Sequence, residues 1–258
     1  MLALKNAFFA SFPIAVQKSL ERHLHLREVK GGDAINIQGK NRNIYFPITA
    51  IASQTAMVDN KEGVFTQFLG SNKTIGLAFE SPQYSIKFNQ QWCCSGYVFE
   101  IPVQRFREFL TPGQESSFGN LFTNITIRRL INRLYCAEHH CARQRLARVF
   151  LEALDVNNNN NDLAGATHQK FADLLGTRRE TVSSVIGKWQ ECGILQATRE
   201  KLIVTNREEL ERAVCSCHEE TLKIDLDVRR YVSTLSWHLE KPRLVRTDVN
   251  RTQVHVLA

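Results

Sequence analysis

Alternating apolar and polar positions run through roughly the first hundred residues of the chain. The alternation has the two-residue period of half-buried strands, and turn-forming runs such as Gly31–Asp33 and Gly70–Asn72 separate the segments. Short strands at this spacing are typical of a β-sandwich or jelly roll. An amphipathic helix over Ala7–Val16 is predicted to precede them. The predicted strands are Ala34–Ile37, Ile44–Phe46, Ile51–Met57, Val64–Leu69, Ile75–Phe79, Tyr84–Phe88 and Tyr97–Ile101.

After Pro102 the hydrophobic period changes to that of helices, with a short helix predicted over Val103–Leu110 and a long one over Ser116–His140. The apolar positions of the long helix are spaced alternately by three and four residues, which indicates either a short coiled-coil seam or a helix packed on its own domain. A further helix is predicted over Ala142–Leu154, followed by an asparagine-rich loop over Asp155–Asp162. The seam consists of Ile127, Leu130, Leu134, Ala137 and Cys141.

The stretch His168–Gly193 has the pattern of two helices that meet at a tight turn. Gly176 is placed where the turn needs unusual backbone angles, and the small side chain of Ala172 allows the helices to cross closely. Thr177–Glu180 reads as a T-x-x-E capping box for the second helix, whose buried stripe is predicted to contain Val182 and Val185. The pattern fits a DNA-binding helix-turn-helix, or alternatively an ordinary pair of antiparallel helices.

The residues after the second helix predict a two-stranded wing and a closing helix. Ile194–Gln196 and Leu202–Thr205 are short apolar segments on either side of a polar turn, and Asn206–Val214 has a helical pattern. The whole arrangement predicts a winged helix-turn-helix. The candidate DNA-binding residues are Arg178, Arg179, Glu180, Ser183, Ser184 and Lys188 on and before the second helix, with Arg199 and Lys201 at the wing tip.

The segment Thr167–His218 resembles the DNA-binding domain of the cyclic-AMP receptor and fumarate-nitrate regulator (Crp/Fnr) family. Weaker similarities extend the resemblance to roughly residues 1–218. The matching segments are Gly176–Val182, Gly193–Leu195 and Leu202–Val204 in the DNA-binding half, and Ile44–Pro47, Ile51–Ser53, Arg143–Arg148 and Leu210–Cys217 elsewhere.

The resemblance implies an α+β protein that acts as a homodimeric transcription regulator. Its expected domains are a jelly-roll sensor domain (1–112), a dimerisation helix with a hinge helix (113–155), a winged helix-turn-helix (156–218) and a C-terminal extension (219–258). The expected partners are double-stranded DNA, a second copy of the chain, RNA polymerase and an unknown effector. Within the extension, the pattern predicts a helix over Arg229–Leu239 and an edge strand over Leu244–Val256.

The nucleotide-binding members of the resembling family hold the cyclic phosphate with an arginine, and the corresponding region of this chain has none. No arginine occurs between Arg42 and Arg105, and a lysine cannot offer the same bidentate fork. The family's oxygen-sensing branch needs an N-terminal cysteine cluster, whereas the first cysteine here is Cys93. We therefore expect neither input, which leaves another ligand, a protein partner or chemistry at the later thiols.

Two short tracts contain residues that bind soft metals. The first contains Cys136, His139, His140 and Cys141, and the second is Cys215-Ser216-Cys217-His218. Neither tract by itself predicts a complete tetrahedral site, so no metal or cofactor is assigned from the sequence. A regulator that responds to metal or redox state through these residues is the alternative function.

Composition narrows the possible functions further. The net charge of +7 favours a polyanionic partner. Motifs such as a P-loop, G-x-S-x-G or H-E-x-x-H are missing from the sequence, so an enzyme is the less favoured class. No apolar run has the length of a membrane span, the cysteine usage suggests reduced thiols, and a cytoplasmic location is expected.

Overall fold

The computed structural model describes residues 2–37, 42–58, 61–77, 87–157, 161–164, 167–198, 201–235 and 237. A 3₁₀ turn over Leu2–Lys5 leads into two short helices, α1 (Ala7–Ala10) and α2 (Ile14–Glu21). The single helix predicted over Ala7–Val16 is thus wrong. It is interrupted before Pro13, whose ring fixes the backbone and cannot donate a helical hydrogen bond.

Two three-stranded antiparallel sheets form the β-roll of the N-terminal half, with strand orders β1-β6-β2 and β4-β3-β5. Their buried faces enclose Val29, Leu69, Trp92 and Val98. The strands are β1 (His25–Val29), β2 (Asn43–Pro47), β3 (Ile51–Val58), β4 (Lys61–Leu69), β5 (Phe88–Cys94) and β6 (Gly96–Pro102).

Four of the predicted strands are confirmed, namely those that became β2, β3, β4 and β6. The segment Ala34–Ile37 is not a strand and forms only an isolated bridge between Ala34 and Gln91. Ile75 likewise makes a single bridge to Tyr45, and residues 78–86 lie outside the described ranges. Strands β1 and β5 were not predicted, because neither has the expected apolar alternation. β1 is mostly exposed, and β5 buries the polar side chain of Gln90.

Helix α3 (Val103–Arg107) connects the β-roll to the long helix α4 (Pro112–His139), which has 28 residues. The long helix begins earlier than predicted because Thr111 and Gln114 form a capping box at its start. It ends at His140, whose extended backbone breaks the helix, and α5 (Ala142–Asp155) follows at once. Residues 140–141 are therefore a bend, which we call the hinge.

The C-terminal half is built on α5 and a small sheet with strand order β7-β9-β8. Phe150 on α5 packs against Phe171 and Trp189, so α5 belongs to the same hydrophobic core as the two helices of the predicted helix-turn-helix. The elements after α5 are β7 (Asp162–Ala164), α6 (His168–Leu175), α7 (Arg179–Glu191), β8 (Leu195–Ala197), β9 (Lys201–Val204) and α8 (Arg207–Ala213).

The last described helix, α9 (Cys217–Thr234), packs along α4. It buries Ile224, Val228 and Val232 in the core that contains Phe118 and Ile125 of α4. The predicted helix over Arg229–Leu239 is therefore wrong in both bounds. The predicted strand over Leu244–Val256 lies outside the described residues.

The β-roll also contacts the end of α5 directly. The backbone N–H and the hydroxyl of Ser71 both donate to the carbonyl of Val156, at 3.0 and 3.1 Å. A Cβ atom added at the neighbouring Gly70 would lie 2.4 Å from that carbonyl oxygen. Only glycine therefore fits this contact between the two halves. None of the helices within the described ranges is both long and apolar enough to cross a membrane.

Candidate nucleic-acid interface and hinge cluster

The turn between α6 and α7 depends on Gly176, which has the left-handed angles φ 58° and ψ 45°. This conformation costs glycine little, and it lets the N–H of Thr177 donate to the carbonyl of Ala172 at 3.0 Å. The predicted capping box at Thr177–Glu180 is wrong. The N-cap of α7 is Arg178, which has extended backbone angles and makes no side-chain capping bond.

Helix α7 has one buried and one exposed face. Val182 is buried as predicted, together with Ile186 and Trp189, whereas the predicted Val185 is only half-buried. The other face carries four exposed candidate DNA-binding residues, Arg179, Glu180, Ser184 and Lys188. Arg178, just before the helix, is also exposed. In the described part of the chain, Arg178, Arg179 and Glu180 form no ion pair, so their charges remain available to a partner.

Two other candidate residues are placed differently. Ser183 is half-buried and its hydroxyl lies 2.9 Å from Nδ1 of His168, so it links α7 to α6. Lys201 begins β9 and its carbonyl accepts a 2.9 Å bond from the N–H of Thr198 across the wing. Arg199 lies outside the described residues.

A buried ionic network surrounds the hinge on its inner side. Arg148 on α5 is 2% exposed and donates to Glu152 at 2.8 Å, to the carbonyl of Asn132 at 3.2 Å and to Thr221 at 3.0 Å. Arg133 on α4 also pairs with Glu152. Burial alone would raise the pKa of Glu152, but the two guanidinium groups outweigh it and lower this pKa to about 2.

A second ionic group lies where the β-roll meets α4 and α9. Asp225 on α9 pairs with Arg129 and lies 3.4 Å from the Lys73 ammonium of the β-roll. Burial lowers the pKa of Lys73 to about 8. These residues line a cavity of about 90 Å³ together with Gln54, Gln67 and Gln90. This volume is far below the range of about 300–1,000 Å³ that is usual for pockets that hold small ligands.

The hinge also brings together side chains from the two Cys/His tracts. One ligand atom from each of Cys136, His140, Cys215 and Cys217 lies within 4.8 Å of the other three, and we call these four residues the hinge cluster. Its three cysteines are buried and His140 is half-buried. Each tract alone is an incomplete site, and the fold brings together two residues from each.

The remaining residues of the two tracts point elsewhere. His139 is exposed and its ring lies against Tyr135, with 4.4 Å between the ring centroids. Cys141 is exposed, and Nε2 of His218 lies 2.7 Å from the carboxylate of Asp155. Within the cluster, the contact with Cys215, followed by that with Arg148, lowers the pKa of the Cys136 thiol to about 4. The contact with Cys136, together with burial, raises the pKa of Cys215.

Comparison with known proteins agrees with this architecture. Residues 144–213 match the family model described as the Crp-like helix-turn-helix domain. A Crp/Fnr-family regulator from Eubacterium rectale has a TM-score of 0.54 at 16% identity, with 81% of this chain and 98% of that chain covered. FixK2 from Bradyrhizobium japonicum has a TM-score of 0.54 at 15% identity, with coverages of 74% and 98%. A CRP/FNR-family regulator from Thermus thermophilus has a TM-score of 0.52 at 16% identity, with coverages of 73% and 97%.

The chain thus contains a Crp-like helix-turn-helix domain and has the fold of the Crp/Fnr transcription regulators. The resemblance drawn from its sequence and the predicted α+β class, with an N-terminal β-domain and a C-terminal helix-turn-helix, are confirmed. The matched domain begins within α5, in agreement with the packing of that helix into the DNA-binding core. No curated protein matches the sequence.

Proposed function

We propose that the protein is a homodimeric, sequence-specific DNA-binding regulator of transcription. The observation that carries this proposal is the two-faced helix α7. Its apolar side is anchored by Val182, Ile186 and Trp189, while Arg179 and Glu180 at its exposed N-terminal end have no partner in the described chain. The first turn of a recognition helix is the part that meets base edges in the major groove.

The exposed side chains of α7 are suited to different parts of DNA. An arginine fork matches the two acceptors of guanine, and a carboxylate accepts from the amino group of cytosine, so we assign base contacts to Arg179 and Glu180. Arg178 contacts a base or a phosphate, and Lys188 contacts phosphate because it lies further along the helix. Ser184 completes the exposed face, and the hydroxyl of the neighbouring Ser183 contacts His168. We assign Arg199 and Lys201 to phosphates beside the wing.

The proposed dimer forms through α4. An apolar stripe on this helix faces solvent in the single chain, with exposures of 44% for Ile127, 61% for Ile131, 60% for Leu134 and 51% for Tyr135. Such a stripe on a soluble helix marks an interaction surface. Of the seam residues expected from the sequence, Ile127, Leu134, Ala137 and Cys141 are exposed and Leu130 is half-buried. A second copy would cover the stripe and place two recognition helices about 34 Å apart, one turn of DNA.

The input that controls DNA binding is proposed to differ from a cyclic nucleotide. The described cavity under the β-roll is small, and its Lys73 and Arg129 both form ion pairs with Asp225. The region that would hold the cyclic phosphate has no arginine in the sequence. We propose that a different effector acts on the β-roll. The proposal also includes RNA polymerase as a partner, a cytoplasmic site of action and a function without catalysis.

The decisive experiment is selection of DNA fragments by the purified protein, first from a random library and then from genomic DNA. The expected result is an enriched site with two inverted half-sites whose centres are about 10 base pairs apart. Enrichment of no sequence, with binding that depends only on salt, would contradict the proposal. A single half-site bound by a monomer would leave the DNA-binding role standing but contradict the dimer.

A further inference from the structure

The hinge cluster joins two parts of the chain that are far apart in sequence. Cys136 lies on the last turn of α4, and His140, four residues later, is the residue with extended backbone that ends this helix. Cys215 lies between α8 and α9, and Cys217 is the first residue of α9. The Sγ atoms of Cys136 and Cys215 are 3.6 Å apart, and Sγ of Cys217 lies 3.5 Å from Nδ1 of His140.

These separations match those of ligands around one tetrahedral metal ion. With metal–sulfur bonds of about 2.3 Å and metal–nitrogen bonds of about 2.0 Å, two sulfurs should lie about 3.8 Å apart and a sulfur and a nitrogen about 3.5 Å apart. All four ligand atoms of the hinge cluster fall within 4.8 Å of one another. The space between them therefore suits a single ion.

Three thiolates and one imidazole form a soft ligand set. Tetrahedral sites of three cysteines and one histidine are a common form of structural zinc centre, whereas Mg²⁺ and Ca²⁺ require oxygen ligands. The close approach of the four atoms also favours one ion over an iron–sulfur cluster, whose several irons would hold the ligand sulfurs further apart. Zinc(II) is thus the ion that fits this chemistry.

Neighbouring groups hold the ligands in place before any ion binds. The side-chain amide of Asn132 donates to the carbonyl of Cys217 at 2.9 Å, and the N–H of His140 donates to the carbonyl of Cys136 at 3.2 Å. The ring of Tyr135 lies edge-on to His140, with 5.7 Å between the centroids. Such supporting contacts orient metal ligands and strengthen binding.

We propose that Cys136, His140, Cys215 and Cys217 bind one zinc(II) ion that fixes the hinge of the protein. Two ligands precede α5 and two follow α8. The ion would therefore join the two ends of the segment α5–α8 beside the end of α4. The bound ion would hold the angle between α4 and α5. Its loss would free this angle and thereby link metal supply or thiol oxidation to the position of α7. The binding of zinc itself does not depend on the proposed DNA-binding function.

The first test is the metal content of the full-length protein purified under reducing conditions without added chelator. The expected result is about one zinc per chain, as in other tetrahedral sites. Replacement of zinc by cobalt(II) should give the visible bands of tetrahedral cobalt together with near-ultraviolet charge transfer from thiolate. Absence of metal after incubation with zinc, or octahedral cobalt bands, would overturn the proposal.

Variants then identify the ligands. Cys136→Ser and Cys217→Ser are each expected to weaken zinc binding more than about 100-fold, beyond the loss caused by removal of a supporting contact. Cys192→Ser and His139→Ala are matched controls, because both residues are exposed and outside the cluster, and they should retain full zinc. Equal metal content in all four variants would place the ion elsewhere and contradict the assignment. If a serine variant fails to fold, the cobalt spectrum of the wild type still tests for a tetrahedral site with three thiolates, and a charge-transfer intensity too low for three thiolates would contradict the assignment.

A final measurement tests the role of the ion. Hydrogen exchange of the wild type, with and without chelation of zinc, should show faster exchange around residues 136–142 and 214–218 after chelation, with the β-roll unchanged. Equal exchange at the hinge in both states would contradict the proposed role. Mass spectrometry of the oxidised protein would show whether Cys136 and Cys215 form a disulfide. If they do, and the reduced protein contains no zinc, the two thiols are a redox pair and the metal site is overturned.

Discussion

Arg133 on α4 and Glu152 on α5 form a buried ion pair across the hinge. The same guanidinium donates to the carbonyl of Thr66 at 3.2 Å and lies over the ring of Phe65, with 4.6 Å to the centroid. The β-roll, the long helix and the DNA-binding domain therefore meet at one side chain. Glu152 pairs with both Arg133 and Arg148, so its single negative charge is shared by two buried cations.

Glu152→Gln should destabilise the protein by about 3–5 kcal/mol, because it leaves buried guanidinium charges without a counter-ion. The free energy of unfolding from urea titration measures the effect. Glu138→Gln, at an exposed position on α4, is the matched control and should change stability by less than about 0.5 kcal/mol. Similar stabilities of the two variants would show that the network contributes little.

Acid should destabilise the protein through the same carboxylate. The pKa of Glu152 is about 2 in the folded chain and 4.5 ordinarily, so the unfolded state binds the proton more readily. The stability that this group contributes is present above about pH 4.5 and is lost as the pH falls toward 2, by roughly 3 kcal/mol in all. Asp225, whose pKa Arg129 and Lys73 lower against the effect of its burial, acts in the same direction. Urea titrations between pH 6 and 3 should show a flatter profile for Glu152→Gln than for the wild type.

Arg179→Ala should weaken binding to the selected DNA site by about 1–3 kcal/mol and relax the preference at one base position. Fluorescence anisotropy with the selected site and with a scrambled duplex measures both effects. Lys188→Ala is the comparison variant. It should weaken binding to both duplexes to a similar extent and reduce the salt dependence, as expected for a phosphate contact. A loss for Arg179→Ala that is equal on both duplexes would place this arginine on the phosphate backbone.

The double variant Ile131→Glu and Leu134→Glu should be monomeric at micromolar concentration, because a dimer would have to bury four carboxylates without partners. Sedimentation equilibrium measures the mass. Ile14→Glu is the matched control, since Ile14 is 71% exposed and lies on α2, away from the stripe. A wild type that sediments as a monomer would contradict the dimer directly.

Calorimetric titration of the purified protein with cyclic AMP and cyclic GMP should show no binding tighter than about 100 μM, equivalent to roughly 5.5 kcal/mol. The physical reason is the missing arginine and the small described cavity. Tighter binding of either nucleotide would show that another group holds the phosphate.

Local patterns were sufficient to predict the two helices of the helix-turn-helix and strands β8 and β9, whereas the third strand of their sheet, β7, was not predicted. Gly176 and the apolar spacing of α7 act within a few residues, so they are visible in one short stretch. The cap at Arg178 was missed because the turn geometry, and not the residue types, decided where α7 begins. Strand β5 was missed because the polar side chain of Gln90 is buried, where it bonds to Gln54 at 2.6 Å across the sheet.

Long-range pairing explains what the sequence could not predict. The two halves of the hinge cluster are 79 residues apart at Cys136 and Cys215, and each half alone is an unremarkable pair of soft ligands. The docking of α9 depends on apolar residues that both helices bury in one core and on the buried ion pair of Arg129 with Asp225. Nothing in either helix by itself reveals its counterpart, so these contacts become visible only in the fold.

The close contact between Gly70 and Val156 couples the β-roll mechanically to the end of α5. Leu69, Asn72 and Lys73, on either side of this contact, line the cavity under the β-roll. A molecule that widened the cavity would therefore displace the end of α5 without any intervening element to absorb the movement. In the proposed regulator, an effector bound in this cavity would therefore act on the C-terminal half directly through the contact of Gly70 with Val156.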